Sequence, residues 1–589
     1  MKISKNSILK KNIPILFLFF FCLSISVLSG LYKDVAISQD EILQNEYGKK
    51  VISFYTSLFK DKSSFKYGDL YLYGGFYETI AVAFSNLHLT GEYESRHIIN
   101  AMFGIIGVLG VFKISNLFWN VRYSLLVSLT VFFYPTYFGH HFNNSKDIPF
   151  ACLTIWSLYY IIRRYRSGFH KNNILDWKLG ITIGLAMGVR VGGFIIYSYL
   201  IASLIFNVFR YYSIGNSISI KTIGKIYGKV ILISYFVMLL FWPWASSSPL
   251  SNPLKALKEI QSFSWFGSVL FEGNYIHVIN DGLPWNYTLK YLWIKTPEIL
   301  LFFLFVYLLA IVFFKFSAFG KSIQKKSIFS IKGFSDLITS IFALPIFRNG
   351  RAFITFAFIL PIGFIIYRKA VLYDEIRHII FTIPFFIILS YMGLDFALNI
   401  VKSKFSKPIY NGFLLFLGFI FTLQFFHLAK FYNDLHPFEA DYFNYTSGGF
   451  EKNYLLFQTD SLRNSRKELV ETLEKSVPKS EGTIYIDFYE NVNKELDKMR
   501  AFVELSGKDK TFLDNFIEEN RKLKELHYLY FSKGRIKIAF GNEPIVYRIE
   551  FTNPTLPNEK RFLEIGRFGK SFVHVITLLH QICNLKKDL

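Results

Sequence analysis

The chain opens on a short basic stretch, "MKISKNSILKK", and then runs apolar from residue 13 to 31. Comparable runs return at 98–116, 122–139, 148–162, 178–190, 192–210, 229–246, 297–315, 351–367, 379–397 and 410–428, and none follows. A helix needs about 20 apolar residues to cross some 30 Å of hydrocarbon. The pattern therefore predicts about eleven membrane spans. The least regular are 148–162 and the divided pair 178–190/192–210, while "DLITSIFALPIF" at 336–347 reads as a half-inserted segment.

Beyond residue 428 the periodicity changes. "SRKELVETLEKSV" carries apolar residues at helical spacing, and "GTIYIDFY" and "RIKIAFGNEPIVYRIEF" alternate as strands do, the second interrupted at Gly541 and Asn542. The predicted fold class is a polytopic α-helical membrane protein with a C-terminal α+β domain. The boundaries are 1–428 for the membrane part, with a first outer loop at 32–96, and 429–589 for a soluble domain with its own core.

Charge sets the expected orientation. The basic start, "RRYRSGFHKNN" at 163–173, the group Lys221, Lys225 and Lys229, "KSIQKKS" at 321–327 and "KSKFSKP" at 402–408 all fall on one side of an eleven-span count. That side is cytoplasmic by the positive-inside tendency. Loop 32–96 and the C-terminal domain are then extracytoplasmic, as expected of a multi-pass protein of a bacterial inner membrane. The first run exceeds a cleavable signal core, which favours a retained helix. The net charge of +23, from 66 Lys and Arg against 43 Asp and Glu, lies largely in those loops and in the Lys-rich tail. It suits membrane lipids and topology rather than nucleic acid. Cys22, Cys152 and Cys583 have no metal-binding spacing.

Polar residues gather in the loops of one side, whereas a transporter is expected to carry them in broken helices near midplane. The first outer loop holds Asp40 and Glu41, then the aromatic stretch 66–84, which suits the membrane interface. It ends on "GEYESRHIIN", with Arg96 and His97 at the mouth of the second span. The second outer loop, "PTYFGHHFNNSKDIPF", adds His140, His141, Asn144, Lys146 and Asp147. Lysine and arginine at the hydrocarbon edge suit a phosphate, since both give charge-assisted hydrogen bonds. Arg190, in "LAMGVRVGGF", is the most deeply placed charge and needs a cavity or a partner, because a mid-helix arginine costs about 2.5–3.5 kcal/mol. The plain readings stand beside these: a Lys146–Asp147 pair or cap, a headgroup anchor at Arg96, and a local Asp374–Arg377 pair.

These loops resemble the GT-C superfamily of polyprenyl-phosphate-sugar-dependent glycosyltransferases, and most closely bacterial proteins similar to protein mannosyltransferases and lipid A aminoarabinose transferases. The resemblance covers roughly residues 1–460. It implies that Asp40, soon after the first span, is the catalytic base, with Glu41 beside it and Asp147 as a second acidic residue. It places Arg96, Lys146, Arg190 and Arg377 at the donor phosphate, and His97, His141, Asn144, Tyr287, Asp374 and His378 among substrate contacts, the later ones through "LPWNYTLKYLWIKTP" and "LYDEIRHIIFTIPF". Asp40 and Asp147 are also of the type that holds a divalent cation such as Mg or Mn, and metal dependence stays open. The tail departs from the family: "QTDSLRNSRKEL" keeps Asp460 without the Tyr-Trp expected near it. The implied reaction is inverting sugar transfer from a polyprenyl-phosphate donor to a hydroxyl on a glycan, lipid or protein. A flippase or transporter of a lipid-linked sugar, or a silent scaffold, is the alternative.

Overall fold

The computed structural model describes residues 5–213, 218–261, 265, 267–323 and 350–454, parts of 456–475, and five strands from 484 onward. Every one of the eleven apolar runs coincides with helix. They form α1 (Lys5–Leu23), α4 (Glu92–Ser115), α5 (Val121–Phe132), α6 (Pro135–His140), α7 (Asp147–Ser167), α8 (Asn173–Met187), α9 (Ile195–Ser213), α10 (Lys229–Leu240), α11 (Glu298–Ile323), α12 (Ala352–Arg368), α13 (Ile383–Lys404) and α14 (Lys407–Leu435). Two further helices, α2 (Gln39–Thr56) and α3 (Phe76–Ser85), stand between the first two apolar helices. Among the described residues, five helical stretches are long and apolar enough to cross a membrane by length and composition alone: 92–115, 191–212, 220–240, 377–404 and 407–435. The segment 336–347 lies outside the described residues.

Position within the bundle follows from burial. The stretch 377–404 is 89% buried across its apolar window and forms the centre, whereas 407–435 is 6% buried and forms the rim. Close helix approaches occur where side chains are smallest. Gly393 of α13 lies against the carbonyl of Phe303 on α11, where a Cβ would stand 1.9 Å from that oxygen. Gly180 and Gly184, four residues apart on α8, let α10 pack against them through Ile233 and Ser234. Small residues at such spacing are how membrane helices gain van der Waals contact without a hydrophobic driving force.

The aromatic stretch 66–84 does not cross. It folds as two short 3-10 turns and the ten-residue α3, about 15 Å long. The loop after α10 is equally ordered, with a hairpin of β1 (Ser268–Phe271) and β2 (Asn274–His277) closed by the positive-φ pair Glu272 and Gly273. In the tail, β3 (Ile484–Phe488), β4 (Ile536–Ile538), β5 (Tyr547–Phe551), β6 (Arg561–Arg567) and β7 (Lys570–Thr577) form one sheet in the order β4-β3-β5-β7-β6. The two strands expected in 535–551 do form, but they do not pair with each other. Each pairs in parallel with β3, which lies between them.

Candidate active site

Ser38 starts α2 as its N-cap, which puts Asp40 and Glu41 in the first helical turn. The two carboxylates then part company. The Glu41 side chain turns back and accepts the Ser38 backbone N–H at 2.9 Å, as the third residue of a capping box does. It is fully buried and lies 3.3 Å from His97 Nε2. Asp40 points outward instead, 42% exposed, and accepts from Arg377 Nη1 at 3.0 Å. The amino end of α2 adds its own positive field to that carboxylate.

Arg377 is the hub of the recess. Its guanidinium also lies 3.3 Å from Asp374 and 4.6 Å over the Tyr373 ring, and its Nε is buried without a hydrogen-bond partner. Beside it, His378 meets Tyr373 edge-on at 4.7 Å and leaves Nδ1 unpaired. Tyr373 is covered on another side by Trp265, stacked at 4.5 Å. From the loop between α6 and α7, Lys146 lies 4.4 Å over the Tyr73 ring. Asp147, the first residue of α7, accepts from Asn144 Nδ2 at 3.0 Å and pairs tightly with Arg190. Arg190 is not mid-helix. It occupies the extended break between α8 and the 3-10 turn leading into α9, at the same end of the bundle.

Electrostatics tie these groups together. Burial pushes the Asp40 carboxyl up, but the charges of Arg377, Lys146 and Arg190 outweigh it and hold the group below its ordinary range. Asp40 is therefore ionised at neutral pH, with three cations around it. Burial pushes the His140 imidazole down to about 3, with Arg377 and Lys295 adding to the effect, so that ring is neutral. Both carboxylates considered for a divalent cation are engaged by arginine, Asp40 by Arg377 and Asp147 by Arg190. Among the described residues no group of three or more His, Cys, Asp or Glu stands together. With an arginine on each carboxylate, the charges already in the recess suit an anion better than a cation.

Several of the other expected residues are engaged by partners within the protein. Arg96 has no exposed surface and donates to Glu78 at 2.6 Å and to Asn45 at 3.3 Å, so its head is committed inside the protein. His97 and His141 are buried against Tyr32 O and Ser26 Oγ respectively. Tyr287 is 1% exposed, its ring 5.1 Å from Phe271 in packing beneath the hairpin. Asp374 adds Gln458 Nε2 at 2.8 Å to its contact with Arg377.

Residues not singled out from sequence support the recess from below. Lys295 is fully buried, 2.7 Å from Glu375 and donating to Ala440 O at 3.0 Å. Burial pushes the Glu375 and Asp441 carboxyls up, with the Lys295 charge pulling the other way. This cluster fastens the chain at 440–460 beneath the segment that presents Arg377. Asn464 does the same for the entry to α2, accepting from Ala36 N at 3.1 Å and from Asn143 Nδ2 at 3.2 Å.

The Glu78–Arg96 pair yields a first prediction. Glu78→Leu strands a guanidinium without solvent and is expected to cost about 3–5 kcal/mol, whereas Glu78→Leu with Arg96→Met recovers most of it. Thermal unfolding of the purified variants checks this. A phosphate-binding Arg96 would instead raise the donor KM in Arg96→Lys with stability unchanged.

Fold and site together define a polytopic helical membrane protein with a carboxylate set among cations at one end of its bundle. No protein-family model and no curated protein matches the chain. Solved structures do resemble it. The archaeal oligosaccharyltransferase AglB from Archaeoglobus fulgidus, in complex with an inhibitory peptide and a dolichol-phosphate, is 11% identical over 93% of this chain and 70% of that one, with a TM-score of 0.45. ArnT from Cupriavidus metallidurans, bound to undecaprenyl phosphate, is 12% identical over 97% of this chain and 98% of that one, at 0.41. The apo oligosaccharyltransferase of Archaeoglobus fulgidus is 11% identical over 81% of this chain, at 0.42, and this chain spans 62% of its length. At such identity no residue of one chain is set against a residue of another.

Proposed function

We propose that this chain is an inverting glycosyltransferase that moves a sugar from a polyprenyl-phosphate donor to a hydroxyl acceptor on the extracytoplasmic face. The observation that carries the reading is the ionised Asp40 carboxylate in contact with Arg377 and within the field of Lys146 and Arg190, just after the first span. A hydroxyl is a poor nucleophile at neutral pH, and a carboxylate at hydrogen-bond distance accepts its proton as the new bond forms. The acceptor oxygen attacks C1 of the sugar, the C1–O bond to phosphate breaks, and the bond electrons leave with the polyprenyl phosphate. Asp40 keeps the acceptor proton. A single displacement inverts C1 and requires no covalent enzyme intermediate. Arg377, Lys146 and Arg190 stabilise the charge that develops on the phosphate, so the leaving group departs unprotonated.

The test is transfer by the full-length protein in liposomes, with defined polyprenyl-phosphate sugars and pooled envelope acceptors. Transfer with inversion supports the reading. Movement of the donor across the bilayer without transfer would put the chain among transporters instead.

A further inference from the structure

A second polar feature lies on the rim of the bundle, on the helix that is otherwise turned outward. The sequence of α14 around "FIFTLQFFHLAKF" is dominated by Phe and Leu, and Phe419, Leu423 and Phe426 are at least half exposed. Besides Thr422, which donates to the Gly418 carbonyl, and Lys430 near the helix end, two polar side chains break that pattern, Gln424 and His427. Three residues apart, they share one face of the helix. They line a cleft of about 210 Å3 with Ile420, Leu423, Tyr445 and Glu298, the first residue of α11.

The polar atoms of this cleft are only partly satisfied. One Glu298 oxygen accepts the backbone N–H groups of Tyr445 at 2.6 Å and Thr446 at 3.1 Å. Among the described residues no cation pairs with that carboxylate. Gln424 Nε2 and His427 Nε2 are both shielded from solvent; the Gln424 side chain is set against the Tyr442 hydroxyl, while His427 Nε2 has no hydrogen-bond partner. The His427 ring sits between Tyr442 and Tyr445, edge-on to each at 6.3 and 6.0 Å. An amide with a hydrogen to spare and an unpaired ring nitrogen are costly on a lipid-facing helix, since hydrocarbon offers them nothing.

The depth matches a headgroup. The exposed Lys430 and Asn433 mark where α14 leaves the apolar layer, so Gln424 and His427 lie about 5–9 Å further in. The end is that of the Asp40 recess: Asn444, next to Tyr445, donates to the Trp293 and Thr296 carbonyls, and Lys295 between them pairs with Glu375.

We infer that this cleft seats the headgroup of an ammonium-bearing phospholipid. The ammonium meets the Glu298 carboxylate and the Tyr445 ring. The phosphate accepts from Gln424 Nε2 and from His427 Nε2 in its protonated tautomer. An anionic headgroup without an amine would bring its phosphate to Glu298 with no cation between them. The acyl chains run along the exposed Phe and Leu side chains of α14. The inference is independent of what the recess transfers.

Native mass spectrometry of the full-length protein, extracted from bilayers of equimolar phosphatidylethanolamine and phosphatidylglycerol, tests it. The wild type is expected to retain phosphatidylethanolamine over phosphatidylglycerol by about five-fold, in line with a desolvated charge and cation–π contact. Glu298→Gln keeps an oxygen for the two backbone donors and removes only the charge, so it is expected to erase the preference. Gln424→Leu with His427→Leu is expected to lower retention of the aminolipid while leaving the fold, judged by thermal unfolding, intact. Equal retention of the two lipids by the wild type overturns the inference, as does a preference that survives Glu298→Gln. Displacement of the bound lipid by added polyprenyl phosphate also overturns it, and would assign the cleft to the donor.

Discussion

Asp40→Asn is expected to lower sugar transfer by roughly 10²- to 10⁴-fold, the range that a positioned general base contributes. The substitution is nearly isosteric, and its amide oxygen still accepts from Arg377 Nη1, which donates at 3.0 Å in the wild type. Donor binding should therefore change little while kcat falls, and the stability that the ionised carboxylate contributes at neutral pH should be lost. Glu41→Gln is the control. A glutamine at the third helical position still caps the Ser38 N–H, so its rate should stay near that of the wild type. Single-turnover transfer with a polyprenyl-phosphate sugar separates the two. If Asp40→Asn keeps a rate within about threefold of wild type, a loss far below what a base supplies, the base lies elsewhere. Equal losses at both positions would point to damage to α2 rather than to lost chemistry.

The contrast between these neighbours shows what was legible in the chain and what was not. Spanning segments announce themselves because hydrocarbon demands a continuous apolar helix, and each expected run is helical. Asp40 and Arg377, which the structure brings into contact, both stand in short polar blocks beside apolar runs. The Ser38-x-x-Glu41 spacing is itself a capping signal, and it separates Glu41 from Asp40 without any structure. Arg96 is different. Its charge at a helix mouth looks like that of Arg377, and only the fold brings Glu78 against it, 18 positions earlier in the chain. Arg190 likewise reads as a mid-helix charge until α8 is seen to end at Met187. Lys295, Glu375 and Asp441 were invisible for the same reason, being scattered over three segments with no local pattern. Long-range pairing of charges decides which cations are spent on structure and which remain for a substrate, and periodicity does not report it.

Arg377→Gln should move the pH dependence of the reaction. In the wild type, burial raises the Asp40 carboxyl and the charges of Arg377, Lys146 and Arg190 more than offset it, so the folded value lies below the ordinary one. A lowered carboxylate contributes stability above its unfolded value, and that contribution is lost as pH falls through the folded value. The acid limb of kcat/KM in the wild type should accordingly lie below the usual carboxylate range, with Asp40 imposing no limb between about pH 5 and 8. Removing the Arg377 charge leaves burial less opposed, and the limb should shift upward. Lys146 and Arg190 remain, so the shift stops short of that of an isolated buried carboxylate. The variant also loses a phosphate donor, so its donor KM should rise at every pH, and its relative rate should be worst in mild acid. A further consequence distinguishes this arrangement from a simple ion pair. A donor phosphate that draws Arg377 to itself weakens the hold on Asp40, making it a stronger base once the donor is bound. The acid limb of kcat, which reports the enzyme–substrate complex, should then lie above that of kcat/KM, which reports the free enzyme. Coincident limbs in the wild type would mean that Arg377 stays on Asp40 throughout. An acid limb unmoved by Arg377→Gln would mean that the titrating group is not Asp40.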